Sequence, residues 1–351
     1  MPSSNLLIYG SNGYTGTLIA RAAIAQGLRP ILAGRNQELV AQLAGELGLD
    51  YQSFALDDSS SVKAALSSAA AVLNCAGPFS RTFKPMVEGC LQTRTHYLDV
   101  SGEISVLEAL ASYDQKAKSA GIMVLPAVGF DVVPSDCLAA HLKTRLPSAE
   151  RLTLGLSSTS GMSRGTATTV VENIHRGGMV RRDGSLTPVR AIWKTRMIDF
   201  GKGPVSAVLV PWADVSTAYF STGIPNIEVY ATVTPSQRRM MVLSRYTGWI
   251  LGTTTVQGFL KGRIRAQSIG PTDEERANAK GVVWAEVEDK EGNRVSSRLQ
   301  TPDSYLLTSL TATAIAKRVL SGSAPPGFQT PSRAYGADFI LEFEGVVRSD
   351  C

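Results

Sequence analysis

Between Asn5 and Leu125, short apolar runs alternate six times with helix-period patterns, and no other feature of the chain narrows its fold as far. The strand-like runs are Asn5–Gly10, Pro30–Ala33, Tyr51–Leu56, Ala70–Cys75, His96–Asp99 and Ile122–Leu125. Between them lie the helical patterns Tyr14–Gln26, Gln37–Leu47, Ser60–Ser67 (with Ser59 or Ser60 as cap), Pro85–Gln92 and Glu103–Ala120. Each apolar run is short and bounded by glycine or polar residues, as buried strands are. Alternation at this spacing predicts an α/β fold with a doubly wound parallel sheet, because every crossover must carry its helix back over the sheet.

The first crossover carries Gly10-Ser11-Asn12-Gly13-Tyr14-Thr15-Gly16. Each glycine has a physical task. Gly10 turns the chain sharply out of the strand, Gly13 lets backbone approach a pyrophosphate, and Gly16 lets the helix pack closely on the sheet. The helix start then offers N–H groups and positive dipole to the phosphates. The strand–turn–helix context makes this a dinucleotide-binding Rossmann signature rather than an isolated glycine triplet. At the end of the second strand stand Arg35 and Asn36, where NAD-selective sites carry an acidic residue. A guanidinium there pairs with a 2′-phosphate, so NADPH/NADP+ is the expected cofactor. Asp57 is a candidate for the adenine amine and equally for a helix cap. Asn74, Cys75, Ala76, Gly77 and Pro78 end the fourth strand, where small residues admit a nicotinamide ribose.

After Pro134 the rhythm changes. Alternating segments at Arg151–Ser157, Ala207–Val210, Asn226–Thr234, Gly281–Asp289 and Arg294–Thr301 are interleaved with helical patterns at Ser135–Arg145, Ala167–Arg176, Ser236–Leu251 and Ser304–Leu320. Glu288–Asn293 reads as a hairpin turn, and Gly161–Gly165 and Arg181–Pro188 read as loops. This half is expected to be a second, α+β domain, residues 135–326, that holds substrate and supports dimerisation, after a nucleotide domain of residues 1–134.

In a chain of 351 residues the charged share is 19% and the net charge +5, with Lys and Arg scattered. No basic run with interleaved aromatics points to nucleic acid. The four cysteines form no C-x-x-C pair and there are three histidines, so no metal is expected, and a reduced cytoplasmic setting is. Nothing at Met1 reads as a signal peptide. The apolar stretch Met240–Leu260 holds Arg245 and several glycines, which makes it a poor membrane span. It reads either as a helix packed in the core or on a partner, or as a peripheral lipid contact.

These pieces resemble the saccharopine dehydrogenase-like superfamily, which includes saccharopine reductases and trans-acting enoyl reductases of mycobacterial lipid synthesis. The resemblance rests on Gly10–Gly16, Ala33–Arg35, Asn74–Phe79, Tyr97–Glu103, Gly129–Asp136 and Gly327–Ser332. The run Gly129-Phe130-Asp131-Val132-Val133-Pro134-Ser135-Asp136 is closer to the enoyl reductase branch. The resemblance implies NADPH, a second α/β domain for the substrate, and a tail, residues 327–351, that returns to the nucleotide domain. Ser80–Lys84 departs from the pattern where smaller, less basic residues are expected, which leaves substrate identity open.

For chemistry, Tyr97 and Asp131 are the candidate proton donors; packing for Tyr97 and hinge or cap duty for Asp131 are the competing readings. Arg81 and Lys84 are candidates for an anionic substrate such as a carboxylate or phosphopantetheine arm, against a solvated helix start. No Tyr-x-x-x-Lys or His-Asp pair is present to settle the reaction. The leading expectation is an NADPH-dependent reductase of an enoyl or similar conjugated C=C bond on a small or acyl substrate. A C=N reductase is the alternative within enzymes, and a non-catalytic NADP-binding sensor or lipid-associated scaffold the alternative outside them. A homodimer is the default assembly for such a chain.

Overall fold

The computed structural model describes residues 5–173, 177–266 and 269–351. The chain divides into two units: the first runs to Val133 and takes in Tyr305–Tyr335, and the second comprises Pro134–Ser304 and Gly336–Cys351.

The first unit follows the order β1 (Leu6–Tyr9), α1 (Tyr14–Ala25), β2 (Ile31–Gly34), α2 (Gln37–Leu47), β3 (Tyr51–Ser53), α3 (Ser59–Leu66), β4 (Ala71–Asn74), α4 (Phe79–Thr93), β5 (His96–Asp99), α5 (Ile104–Ala111), α6 (Asp114–Ala120) and β6 (Met123–Leu125). The chain then enters the second unit through α7 (Val133–Arg145), β7 (Arg151–Ser158), α8 (Arg164–Asn173), β8 (Gly178–Arg182), β9 (Ser185–Val189), β10 (Thr195–Asp199), β11 (Pro204–Leu209), α9 (Asp214–Thr222), β12 (Asn226–Ala231), α10 (Pro235–Leu251), α11 (Thr254–Arg265), α12 (Asp273–Asn278), β13 (Gly281–Glu288) and β14 (Arg294–Thr301). It returns through α13 (Ser304–Leu320), β15 (Gly327–Phe328) and α14 (Pro331–Tyr335) and ends in β16 (Val347–Asp350).

The first unit is a seven-stranded sheet of order β15-β6-β5-β4-β1-β2-β3. Every pairing in it is parallel. The sheet is covered on both faces, so β1 and β4 are buried at every residue and read as continuous apolar runs. Connections leave β1 toward β2 on one side, while β4 adds on the other; that reversal opens a crevice above the carboxyl ends of β1 and β4.

In the first unit two helical segments differ from the sequence expectation, and in the second α9, α11 and α12 have no expected counterpart. α4 begins at Phe79 rather than Pro85, and Pro85 lies inside it. Its start is held from outside: the Phe79 and Ser80 N–H groups donate to the Glu103 carboxylate at 2.7 and 3.0 Å. Residues 103–120 form two helices instead of one, because Ser112 closes α5 by donating its hydroxyl to the Ala109 carbonyl at 2.6 Å.

The second unit is built on a mixed sheet of order β10-β11-β12-β7-β13-β14-β16, with β8 attached to β12 and β9 to β8. Val180, Ile198, Phe200, Ala207, Leu209, Tyr230 and Trp284 form one of its apolar clusters. Residues 181–188, expected as a loop, are largely a hairpin: Arg182 pairs with Ser185, and Asp183 and Gly184 turn between them, both with positive φ. That backbone matches the strand twist and explains the Asp-Gly pair. Ile174, His175 and Arg176, the end of the expected helix Ala167–Arg176, lie outside the described residues.

The tail also differs from expectation. The return to the first unit starts at Tyr305, not Gly327, and stops at Tyr335. Side chains of α13 explain the early return: Thr308 accepts the Phe130 N–H at 2.9 Å, and Thr311 donates to the Val128 carbonyl at 2.7 Å. Residues 336–351 instead close the second unit, where β16 pairs antiparallel with β14. Among the described residues, no helix is long and apolar enough to cross a membrane.

Candidate functional site

The Gly10–Gly16 turn lies at the crevice with its backbone pinned to β2. The Gly10 and Ser11 N–H groups both donate to the Ala33 carbonyl, at 2.8 and 3.1 Å. Gly10 has φ +79°, and a Cβ there would stand 2.8 Å from the Ala76 backbone nitrogen. A Cβ on Gly16 would stand 2.4 Å from the Gly10 carbonyl oxygen, whereas one on Gly13 would meet that oxygen at 3.2 Å. The turn is therefore wedged between its own helix and the β4 loop, with Gly13 the loosest of the three. Gly13 is the N-cap of α1 and supplies no side-chain cap, so nothing from the chain's own cap shields the helix start from a phosphate. Thr15 lies in that first turn, and the Tyr14 ring meets Tyr305 edge-on at 5.0 Å.

Not every residue of the turn faces a ligand. Ser11 is fully buried and donates its hydroxyl to the Ala33 carbonyl, so its role is to hold the loop rather than to touch phosphate. The Asn12 side-chain oxygen packs near Gly34, toward the end of β2. There Arg35 is exposed, and Asn36 is occupied as the N-cap of α2, accepting the Leu39 N–H at 3.1 Å. Tyr9, a residue that sequence reasoning passed over, lies between Arg35 and Asp57. Its phenol reaches the Phe54 carbonyl at 3.2 Å; burial raises its pKa, while Arg35 lowers it and Asp57 raises it. Asp58, not Asp57, Ser59 or Ser60, caps α3, accepting the Ser60 and Ser61 N–H groups. Asp57 is thus exposed and spared from capping, beside the same tyrosine as Arg35.

On the other side of the crevice, the Asn74–Pro78 loop is locked by side chains. Asn74 is fully buried; it accepts the Ala76 N–H and donates to Thr82 Oγ1, both at 3.1 Å. Thr82 closes the ring by donating to the Ala76 carbonyl at 2.7 Å. Thr82 belongs to the Ser80–Lys84 segment, which sequence reasoning connected only with the substrate. The Cys75 thiol is pushed up by burial and by Asp99, which makes it a poor nucleophile. Arg81 and Lys84 are exposed on the first turns of α4.

Beside this loop, Asp99 is the hub of β5. It is fully buried and accepts the Tyr97 hydroxyl at 2.7 Å and the Ser101 and Ala127 N–H groups, both at 2.9 Å. This corrects the reading of Tyr97 as an acid at the crevice: the phenol is fully buried, committed to Asp99, and raised well above its usual pKa by burial and then by that carboxylate. Ser101 does not cap α5; its oxygen accepts the Glu103 N–H at 3.1 Å. Asp131 lies against Gly102, since a Cβ on that glycine would be 2.7 Å from Asp131 Oδ2. Burial pushes the Asp131 carboxyl up to about 6. His96 is structural, its Nδ1 accepting the Met123 N–H at 2.9 Å.

Asp99 is also raised to about 6 from 3.8, chiefly by burial. A carboxyl whose folded pKa is raised holds its proton longer than the unfolded chain does. Stability then falls as pH rises from about 4 to about 6 and levels off above that. Asp99→Asn should remove this group's share, so the variant should gain on wild type by on the order of 2 kcal/mol between the bottom and top of that window. Denaturant unfolding at several pH values reads the difference; a constant offset would show that Asp99 does not carry the slope.

A parallel sheet with a glycine-wedged turn, a basic residue after β2 and a locked small-residue loop after β4 defines a dinucleotide-binding domain of Rossmann type. Residues 6–125 match the saccharopine dehydrogenase NADP binding domain. Residues 6–125 are therefore similar to the NADP-binding domain of saccharopine dehydrogenases. Among sequence relatives, the trans-acting enoyl reductase of Mycobacterium leprae (strain TN) is 31% identical over 150 residues, covering 40% of this chain and 36% of that protein. The saccharopine dehydrogenase-like oxidoreductase of Homo sapiens is 25% identical over 223 residues, covering 56% of this chain and 46% of that protein. The matches thus span less than half the length of these relatives. In fold, the chain is similar to apo saccharopine dehydrogenase (L-Glu forming) from Saccharomyces cerevisiae, with TM-score 0.67 over 99% of both chains at 13% identity.

Proposed function

We propose that the chain is an NADPH-dependent reductase that transfers hydride to an activated double bond, with a conjugated enoyl C=C as substrate class. The observation that carries this reading is the crevice itself. The wedged Gly10–Gly16 turn and the locked Asn74–Pro78 loop meet at the reversal of strand order, with Arg35 and Asp57 at one end and Asp131 beyond the Glu103-capped start of α4. The residues fit the cofactor: the turn leaves room for backbone to approach phosphate only because three side chains are missing, and Arg35 suits a 2′-phosphate. When bound, NADPH supplies the hydride. The chain then has to orient the acceptor and provide a proton. Asp131 is the group assigned to that proton, because its carboxyl, raised to about 6, is partly protonated near neutrality. Arg81 and Lys84, exposed at the start of α4, are the candidates for an anionic acyl substrate.

The name of the mycobacterial relative supports enoyl reduction, and the family of the nucleotide domain keeps a C=N acceptor as the second reading. Purified protein should oxidise NADPH in the presence of a 2-enoyl thioester. Asp131→Asn should cut turnover by about 100-fold or more while NADPH affinity stays unchanged. Turnover of a cyclic imine but not the enoyl thioester would replace this reading with the C=N one. NADPH binding without turnover of enoyl, imine or ketone would make the chain a sensor or scaffold.

A further inference from the structure

The stretch Met240–Leu260, which sequence left as a helix in the core or on a partner or as a lipid contact, is largely exposed among its described residues. On α10 the residues turned away from the protein are Val242, Leu243, Tyr246, Trp249 and Ile250, while Ser244 on the opposite side is buried. Their spacing of three and four places them along one helical face. An apolar stripe of the helix therefore meets solvent beside exposed arginines. Tyr246 is 75% exposed, Trp249 78% and, on α11, Phe259 65%. α11 is tied to α8 by Gln257, which donates to the Val171 carbonyl at 2.9 Å, and by the 2.5 Å Lys261–Glu172 ion pair, so the helix is anchored from behind.

The charge carried by α10 and α11 themselves has one sign. Between Pro235 and Arg265 the sequence holds Arg238, Arg239, Arg245, Lys261, Arg263 and Arg265 and no Asp or Glu. Arg238, Arg239, Arg245 and Arg263 are exposed. At the flank of α10 an open cavity of ≈ 760 Å³ is lined by Arg182, Arg190 and Arg245 together with Trp193, Tyr246 and Trp249. Arginine beside tryptophan and tyrosine, next to an apolar stripe, is the chemistry of the boundary between lipid headgroups and acyl chains. A second copy of the chain is a poorer occupant. A two-fold pairing of this face would set arginines against arginines without a carboxylate between them.

We propose that α10 and α11 dock the protein on an anionic lipid bilayer, the Val242–Ile250 stripe and Phe259 entering the interface and the arginine-lined cavity receiving headgroup phosphates. This rests on the exposed face and the arginines around it and stands whether or not the enzymatic reading does. Co-sedimentation of the 351-residue chain with vesicles tests it. Binding to phosphatidylcholine vesicles containing phosphatidylglycerol should exceed binding to phosphatidylcholine alone by about tenfold or more and should fall with added salt. Trp249→Glu and the double variant Arg238→Glu/Arg239→Glu should each lose most of that binding while retaining NADPH affinity, which shows that the variants fold. Absence of vesicle binding, indifference to lipid charge, or unchanged binding by both variants would overturn the proposal. So would light scattering that shows Trp249→Glu splitting a dimer, which would assign the face to a second copy.

Discussion

Gly10→Ala and Gly16→Ala are each expected to abolish NADPH binding and to lower the stability of the first unit, whereas Gly13→Ala should leave the fold intact and weaken only the cofactor. The added Cβ at Gly10 would fall within 2.9 Å of Ala76 backbone and side chain, at φ +79°. The one at Gly16 would fall 2.4 Å from the Gly10 carbonyl oxygen and 2.8 Å from Ser11 Cα. Backbone atoms held by the Ala33 carbonyl and by the Asn74–Thr82 lock cannot yield as the tip of a side chain can. Left-handed strain and overpacking together should cost Gly10→Ala about 3 kcal/mol. At Gly13 the nearest atom is 3.2 Å away, so the penalty there falls on the approach of a phosphate. Thermal unfolding and calorimetric titration with NADPH separate the two effects. If Gly13→Ala destabilised the chain as much as the other two, the wedge would not be where the strain lies.

Arg35→Ala should weaken NADPH by about 1–3 kcal/mol and leave NADH affinity nearly unchanged. The side chain is exposed and lies beyond the end of β2, so its loss should not move the melting temperature. Its charge is felt at Tyr9, where Asp57 acts in the opposite direction. A positive group placed there discriminates by meeting the 2′-phosphate, which NADH lacks. Parallel titrations with both nucleotides give the ratio directly. Equal losses for the two would mean that Arg35 serves the adenosine as a whole and that cofactor selectivity resides elsewhere.

The first unit's strands were readable because burial on both faces makes them short apolar runs, and its turn because only glycine satisfies the backbone demanded there. The hairpin at Asp183–Gly184 was readable too, yet the polar residues around it concealed the signal. The misjudged positions share a different cause: their partners are distant in sequence. Tyr97 looked available from its place on β5, but Asp99 claims its hydroxyl in the interior. Pro85 looked like a helix start, but Glu103 caps α4 six residues earlier. Asp57 was freed by its neighbour Asp58, a competition that local pattern leaves undecided.

Local sequence thus sufficed for the alternating architecture, the glycine turn and the basic residue after β2, since each follows from backbone sterics or from a periodicity carried by adjacent residues. Three things required the folded chain: the lock of Asn74 by Thr82, the burial that lifts Asp131 toward neutrality, and the outward turn of an apolar helix face. The reason is physical. Desolvation, capping from another element and the solvent exposure of a face are properties of what surrounds a residue, and periodicity records only that a helix has two faces, not which of them the rest of the protein covers.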